Sequence, residues 1–316
     1  MCYIILLFVA LAAGFSRLNP AFGQSPDNIP PPAEAFAQLP FMSGAELSPD
    51  GTHVAYMRAV RGRRHLIIQK LHSDDRPVVL PPFEHLDYRW SRWANNNRLV
   101  FSMGFSDKRR LTETVETRLV SVRRSGDDVT PIVLPAKRSK TGTRVASVEL
   151  APPQIQDNVI DWLPEDPNFI LVSLDEDSDG KSEVRKINIV NGDYTIIRDG
   201  LRGIQHWMTD QNHEVRIGYG YDHIHGFVMM VRSADGHWVS AERQDWWDDG
   251  YVPVSFAADP GVAYVSGPGS GGREILRTMA VDSGVLLETV YEHESVDSGG
   301  LIFDPHRGIP IGVQYT

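Results

Sequence analysis

Four stretches of this chain carry residue types that can do chemistry. Asp222-His223-Ile224-His225 places two imidazoles two residues apart, on one face if the segment is a strand. Zinc takes three or four protein ligands, and no third is specified nearby, so the stretch reads as a polar hairpin beside Gly226. Asp175-Glu176-Asp177-Ser178-Asp179-Gly180 imitates the first half of an EF-hand loop. Its twelfth position is Lys186, where a bidentate glutamate is required, and its flanks have strand rather than helix composition. It reads as an acidic loop between strands. Trp246-Trp247-Asp248-Asp249, with Trp238 near it, has the composition of a pocket for a cationic or amine group. The favoured reading is a loop packed on a sheet edge. Pro268-Gly269-Ser270-Gly271-Gly272 comes nearest to a nucleophile elbow, but it lacks the glycine two before the serine and a strand-to-helix context. The single cysteine, Cys2, lies in an apolar leader, which excludes a cysteine nucleophile, an iron–sulfur cluster or cysteine-ligated zinc in the mature chain. No residue is assigned a catalytic, cofactor-binding or metal-binding role, and no cofactor is expected.

What must position these residues is a repeat. Leu47-Ser48-Pro49-Asp50-Gly51-Thr52 is a turn: Pro49 sets φ, Asp50 can bond its own backbone, and Gly51 accepts positive φ. His53-Val54-Ala55-Tyr56-Met57 then runs as a short buried strand. A large apolar residue, a turn cluster and a β-rich run recur from Trp93, Trp162, Trp207, Phe256 and Phe303. The separations from Leu47 onward are 46, 69, 45, 49 and 47 residues. Short strands at a period of about 40–50 residues mark four-stranded propeller blades. The long interval is read as a loop insertion running from Pro135 to Pro153. Between leads each unit holds further strands, with turn signals such as Asn191-Gly192 and Asp282-Ser283-Gly284. The expected fold is all-β: a β-propeller of four-stranded antiparallel blades, about six repeats with the last incomplete.

The 316 residues suffice for a core without disulfides. The net charge of −10 is uneven. Residues 1–150 hold 20 Lys and Arg against 14 Asp and Glu, and residues 151–316 hold 11 against 27. An acidic second half argues against nucleic acid as a partner. The basic clusters at Arg61-Gly62-Arg63-Arg64 and Lys108-Arg109-Arg110 are short and read as solvated loop tips. Ile4 to Ala13 is apolar but too short to span a bilayer, and Ala21-Phe22-Gly23 offers small residues for a signal peptidase. The expected organisation is a signal peptide at 1–23, a linker with a short helical lead-in at 24–42, and a propeller at 43–316 truncated in its last blade. The mature chain is expected to be exported to the periplasm with no membrane span.

Ala35-Phe36-Ala37-Gln38-Leu39-Pro40 followed by Leu47-Ser48-Pro49-Asp50-Gly51-Thr52-His53-Val54-Ala55-Tyr56 resembles the start of the N-terminal propeller of prolyl oligopeptidase family serine peptidases. The exported bacterial dipeptidyl-aminopeptidase/acylaminoacyl-peptidase-like branch is the nearest. Trp93 with Arg98-Leu99-Val100-Phe101-Ser102, and Phe303-Asp304-Pro305 with Gly312-Val313, fit later blades. The resemblance spans roughly residues 33–316. It implies a propeller that caps an α/β-hydrolase domain and admits only peptides or small substrates. This sequence contains no Gly-x-Ser-x-Gly elbow, so only the scaffold is carried over. The resemblance thus implies a non-catalytic, substrate-gating portion of an exported serine peptidase, lacking the Ser-Asp-His hydrolase domain. Its partner is a peptide or protein ligand, or a hydrolase domain in cis or in trans. The alternative is a periplasmic protein-interaction scaffold of the Tol-Pal type, which shares the Leu-Ser-Pro-Asp-Gly motif. A propeller enzyme of lactonase type ranks last, because the leading strands hold Ala55, Val100, Leu171, Arg216, Ala263 and Ile311 and no carboxylate.

Overall fold

The β-branched and aromatic runs between turn clusters form 22 strands among the described residues of a computed structural model. The described residues are 38–109, 112–134, 152–176, 179–233, 235–241, 244, 247–304 and 309–315. The expected signal peptide, residues 24–37 of the lead-in and residues 135–151 of the expected insertion lie outside them. Leu39–Thr316 forms one compact unit.

Sheet 1 contains β1 (Met42–Leu47), β2 (His53–Val60), β3 (Arg63–Lys70) and β4 (Val78–Leu80). Sheet 2 contains β5 (Asp87–Trp93), β6 (Arg98–Arg109), β7 (Thr112–Arg123) and β8 (Thr130–Pro131). Sheet 3 contains β9 (Val159–Asp161), β10 (Phe169–Leu174), β11 (Glu183–Asn188) and β12 (Tyr194–Arg198). Sheet 4 contains β13 (His206–Thr209), β14 (Val215–Asp222), β15 (Gly226–Arg232) and β16 (Trp238–Ser240). Sheet 5 contains β17 (Val252–Phe256), β18 (Val262–Pro268), β19 (Glu274–Ala280) and β20 (Leu286–Tyr291). Sheet 6 pairs β21 (Ser298–Phe303) with β22 (Pro310–Tyr315). Every sheet is an antiparallel meander in chain order. The fold is all-β and built of propeller blades, with no α-helix among the described residues.

The core lies between consecutive sheets. Leu99 and Phe101 of β6 point to sheet 1, where they join Ala55, Leu66 and Ile68. Val100, between them, points the other way and joins Ile170, Val172 and Ile187 of sheet 3. Leu171 and Val184 in turn meet Trp207 and Val215 of sheet 4. Ile217, Met229 and Val231 meet Phe256, Ala263, Val265 and Met279 of sheet 5. Side chains alternate across a strand, so a blade buried on both faces needs an unbroken apolar run. That is why Val54 to Met57 and Leu99 to Phe101 show no polar alternation.

Two expectations about phase are corrected. Each blade begins one strand earlier than the lead motifs suggest, with the lead residue at the end of the first strand. Ala55, Val100, Leu171, Arg216, Ala263 and Ile311 therefore sit on second strands, whereas the first strands hold Glu46, Asp87 and Asp161. Absence of carboxylates from the second strands says nothing about the first. Trp207 is also not the equivalent of Phe256. The closing bonds Asp210 N to Glu214 O and Ala257 N to Val262 O make Thr209 the matching residue. With Thr209 in place, the steps to Phe256 and Phe303 are both 47 residues. The cause is that Trp207 is an aromatic two residues upstream on the same face, a shift that a period-two pattern conceals.

Candidate functional site

The turns joining first to second strands carry the densest polar chemistry. Asp50 accepts the Thr52 backbone N–H at 3.0 Å and hydroxyl hydrogens from Ser48 at 2.6 Å and Thr52 at 2.7 Å. These bonds to the ionised form hold its carboxyl at about 2. Gly51 has φ of 67°, the value the turn requires. Asn95 takes the N–H groups of Asn97 and Arg98 at 2.8 and 2.9 Å. Asp210 takes those of Asn212 and Glu214, with Arg216 Nη1 at 3.2 Å. Asp259 takes that of Gly261 at 2.8 Å. One local device thus recurs, a side-chain oxygen replacing a backbone acceptor in a tight turn.

The same turns bind the sheets to one another. Asn95 Nδ2 donates to Pro167 O of the next turn at 2.7 Å, and the Gln211 amide donates to Ala257 O. His213 Nδ1 lies 2.9 Å from the buried Asp161 carboxylate of the preceding sheet, and Trp93 Nε1 donates to Glu46 O at 3.2 Å. A shallow cleft of about 320 Å³ opens between two of these turns, lined by Asn95, Asn96, Asn97, Arg98, Pro167 and Asn168. Primary amides offer both donors and acceptors, the complement of an extended polypeptide backbone.

The first strands add a cation and two aromatic rings. The Arg92 guanidinium lies 4.8 Å from the Trp162 ring centroid, and Trp90 meets Trp162 edge to face at 6.2 Å. Glu46 lies within the field of Arg92. Burial pushes its carboxyl above the ordinary value, while Arg92 and the Trp93 backbone N–H pull the other way. A second polar group stands at the far end of sheet 2. Ser102 and Thr117 donate to Asp157 at 2.6 and 2.8 Å, and Gln156 N donates to Thr117 Oγ1 at 2.8 Å. This ties the 152–158 segment to the root of a β6–β7 hairpin of 12 residues per strand, longer than the other hairpins.

The sequence-selected stretches scatter. Asp222 is spent inside its own hairpin turn, accepting the N–H groups of Ile224 and His225 and the Arg202 Nε hydrogen at 2.8 Å. These bonds hold it well below the usual carboxylate range. His225 Nδ1 is 3.0 Å from it, whereas His223 is exposed. Asp175 accepts the N–H groups of Asp179 and Gly180, and Glu176 is paired with the buried Arg185. The carboxylates of Asp175, Glu176 and Asp179 already have donors, and Asp177 lies outside the described residues. Trp247 is buried between sheets 4 and 5, edge to face with Phe227 at 5.4 Å, and Trp246 lies outside the described residues. Trp238 packs on the opposite face of sheet 4 with Trp207, so the expected aromatic cluster is divided. Ser270 is exposed in the β18–β19 hairpin turn. Arg63 and Arg64, read as a solvated tip, instead donate to Phe83 O, Leu86 O and Tyr88 O. No group of three or more metal-ligating side chains stands together among the described residues.

No family model and no curated protein matches the chain. Among solved structures it is similar to TolB from Acinetobacter baumannii, at 11% identity and a TM-score of 0.37, covering 80% of this chain and 56% of that one. It is similar to a structure from a study of two prolyl endopeptidases, at 13% identity and a TM-score of 0.46, covering 83% of this chain and 35% of that one. An oligogalacturonate lyase in complex with manganese gives 13% identity and a TM-score of 0.44, covering 77% of this chain and 63% of that one. The chain therefore spans less than two thirds of each of these three. At these values the likenesses assign neither a family nor an activity. Among the described residues no helix is long and apolar enough to cross a membrane.

Sequence reading overlooked Arg92, Trp90 and Glu46, because it placed the innermost strand one element too late. Asp87-Tyr88-Arg89-Trp90-Ser91 does alternate with period two before Ser91-Arg92 breaks the phase, and that was the available signal.

Proposed function

We propose that this chain is a non-catalytic propeller that binds and gates polypeptide for an exported, prolyl oligopeptidase-like serine peptidase, with the hydrolase domain in cis or in trans. The observation that carries the reading is the amide-lined cleft at Asn95–Arg98 and Asn168, set in turns whose acidic groups are tied up in structure. With Asn95 engaged in the turn, the side-chain amides of Asn96, Asn97 and Asn168 supply hydrogen-bonding partners for an extended backbone, and the cleft holds no nucleophile poised beside a base. Arg92 on Trp162 supplies a cation for a carboxylate of the same ligand. The Leu47-Ser48-Pro49-Asp50-Gly51 opening motif, shared with the Tol-Pal type, supports the exported location, and the Ala35-to-Pro40 lead-in supports the peptidase relation.

The test is binding of unstructured peptides and of folded proteins to the purified chain, followed through tryptophan fluorescence, alongside hydrolysis of aminoacyl-nitroanilides. Binding of short peptides, weakened by Asn97→Ala or Arg92→Gln and without hydrolysis, is the expected result. Binding of folded proteins that short peptides do not displace would favour the Tol-Pal-type scaffold. Reproducible hydrolysis would overturn the non-catalytic reading.

A further inference from the structure

Arg198, at the end of β12, reaches from sheet 3 onto the face of sheet 4. Its guanidinium carbon lies 4.6 Å from the Trp238 ring centroid and 5.6 Å from that of Trp207. The two indoles meet edge to face at 5.4 Å with an interplanar angle of 85°, so they form a fixed corner for the cation. Trp207 is pinned in turn by its Nε1 hydrogen, donated to Ser182 O at 2.7 Å.

The fully buried arginines of this protein are neutralised, whereas Arg198 is half-buried. Arg98 is paired with Asp128, and Arg185 with Glu176 and Glu183. The Arg198 side chain makes no hydrogen bond or ion pair among the described residues, and its Nε is buried without an acceptor. Burial lowers its pKa from the ordinary arginine value, and the neighbouring Asp199 opposes this only in part. Ile196 and Ile197 beside it on β12, and Val239 beside Trp238 on β16, are exposed. A half-desolvated cation in an aromatic corner, with the exposed Ile196 two residues away on the same strand, is an unmet demand for an anion.

We infer that Arg198, Trp207 and Trp238 form a binding site for a carboxylate carried beside an apolar group, as on an acidic side chain of a polypeptide. The two indoles stand at 85° to each other, so they can cover only part of the guanidinium and leave its terminal Nη groups to hydrogen-bond a ligand. A planar carboxylate meets those groups with two parallel bonds. Asp199 disfavours a dianion more than a monoanion, which selects carboxylate over phosphate. The site takes Arg198 and Trp238 from fourth strands and Trp207 from a first strand, shares no residue with the turn cleft, and does not depend on the gating reading above.

The experiment titrates the full chain with acetyl-Leu-Glu-Leu-amide, its Gln counterpart and inorganic phosphate, following tryptophan fluorescence and the indole N–H resonance of Trp238. The Glu peptide is expected to shift the Trp238 signal and to bind more tightly than the other two. Arg198→Lys keeps the charge but loses the fork, and should weaken the Glu peptide about tenfold or more. Arg198→Gln should abolish the shift. Equal binding of the Glu and Gln peptides, or unchanged affinity in Arg198→Lys, would overturn the site. Tighter binding of phosphate would overturn the ligand class. If Arg198→Gln does not fold, the peptide pair on the unaltered chain and Arg198→Lys still decide the matter.

Discussion

Sheets 2 and 6 are built on the same local plan and end in opposite states. In sheet 2 the turn after β5 closes with Ala94 N donating to Arg98 O, and in sheet 6 the turn after β21 closes with Asp304 N donating to Ile309 O. Phe101 of β6 is nevertheless fully buried, edge to face with Tyr88 at 5.4 Å, whereas Phe303 of β21 remains 45% exposed and Ile311 of β22 64% exposed. Sheet 2 has a packed neighbour on each face, and the core clusters of the described residues extend no further than sheet 5. A turn is a local object and forms wherever its residues occur. Burial of a blade face is a non-local quantity, because it needs a second face to meet.

The sharpest test of that contrast is a pair of truncations. Phe101→Ala should lower unfolding free energy by about 3–5 kcal/mol, while Phe303→Ala should cost less than about 1 kcal/mol, since only a buried ring leaves a cavity. Urea denaturation monitored by circular dichroism measures both, and equal losses would show that sheet 6 is packed in solution. The next effect concerns the polar root of sheet 2. Asp157→Asn removes charge-assisted bonds from Ser102 and Thr117 and should cost about 1.5–3 kcal/mol, read from the same curves.

A smaller effect separates the turns by pH. Asp50 titrates at about 2 when folded against 3.8 ordinarily, so folding favours its ionised form. Its contribution is present at and above pH 4 and is lost as pH falls through 2. Between those values the denaturation midpoint of the unaltered chain should fall more steeply than that of Asp50→Asn. Parallel slopes would remove Asp50 from the account of the turn. The smallest change is expected for Ile311→Lys, which should leave stability within about 0.5 kcal/mol and reduce concentration-dependent light scattering by charging an exposed strand.

Much of this was legible in the chain. Asp50 and Gly51 announce their turn by residue type, and Gly192, with φ of 77°, stands where Asn191-Gly192 predicts a hairpin between β11 and β12. The apolar run Leu99-Val100-Phe101 announces a strand buried on both sides. The first strands were harder to see. Met42-Ser43-Gly44-Ala45 contains no strong β-former, and β9 is only three residues long, so neither segment carries the period-two pattern that identifies a strand. Their pairing comes from the neighbour, Met42 opposite Arg58 and Asp161 opposite Leu171.

The functional candidates divide in the same way. Asp175, Asp222 and Asp259 find donors within five residues, so the sequence by itself determines that they are turn caps. It also determines the repeat, the blade composition and the absence of a nucleophile elbow, because each depends on residue type and near-neighbour spacing. Only the tertiary structure decided that Asn95 reaches Pro167, that His213 meets Asp161, that Trp238 parts from Trp247, and that Arg198 lies against two indoles. Those contacts join residues 9 to 72 positions apart, across different sheets or turns, or place near neighbours on opposite faces of a sheet. Neither separation nor facing is encoded by spacing alone, since both are set by which sheet packs against which.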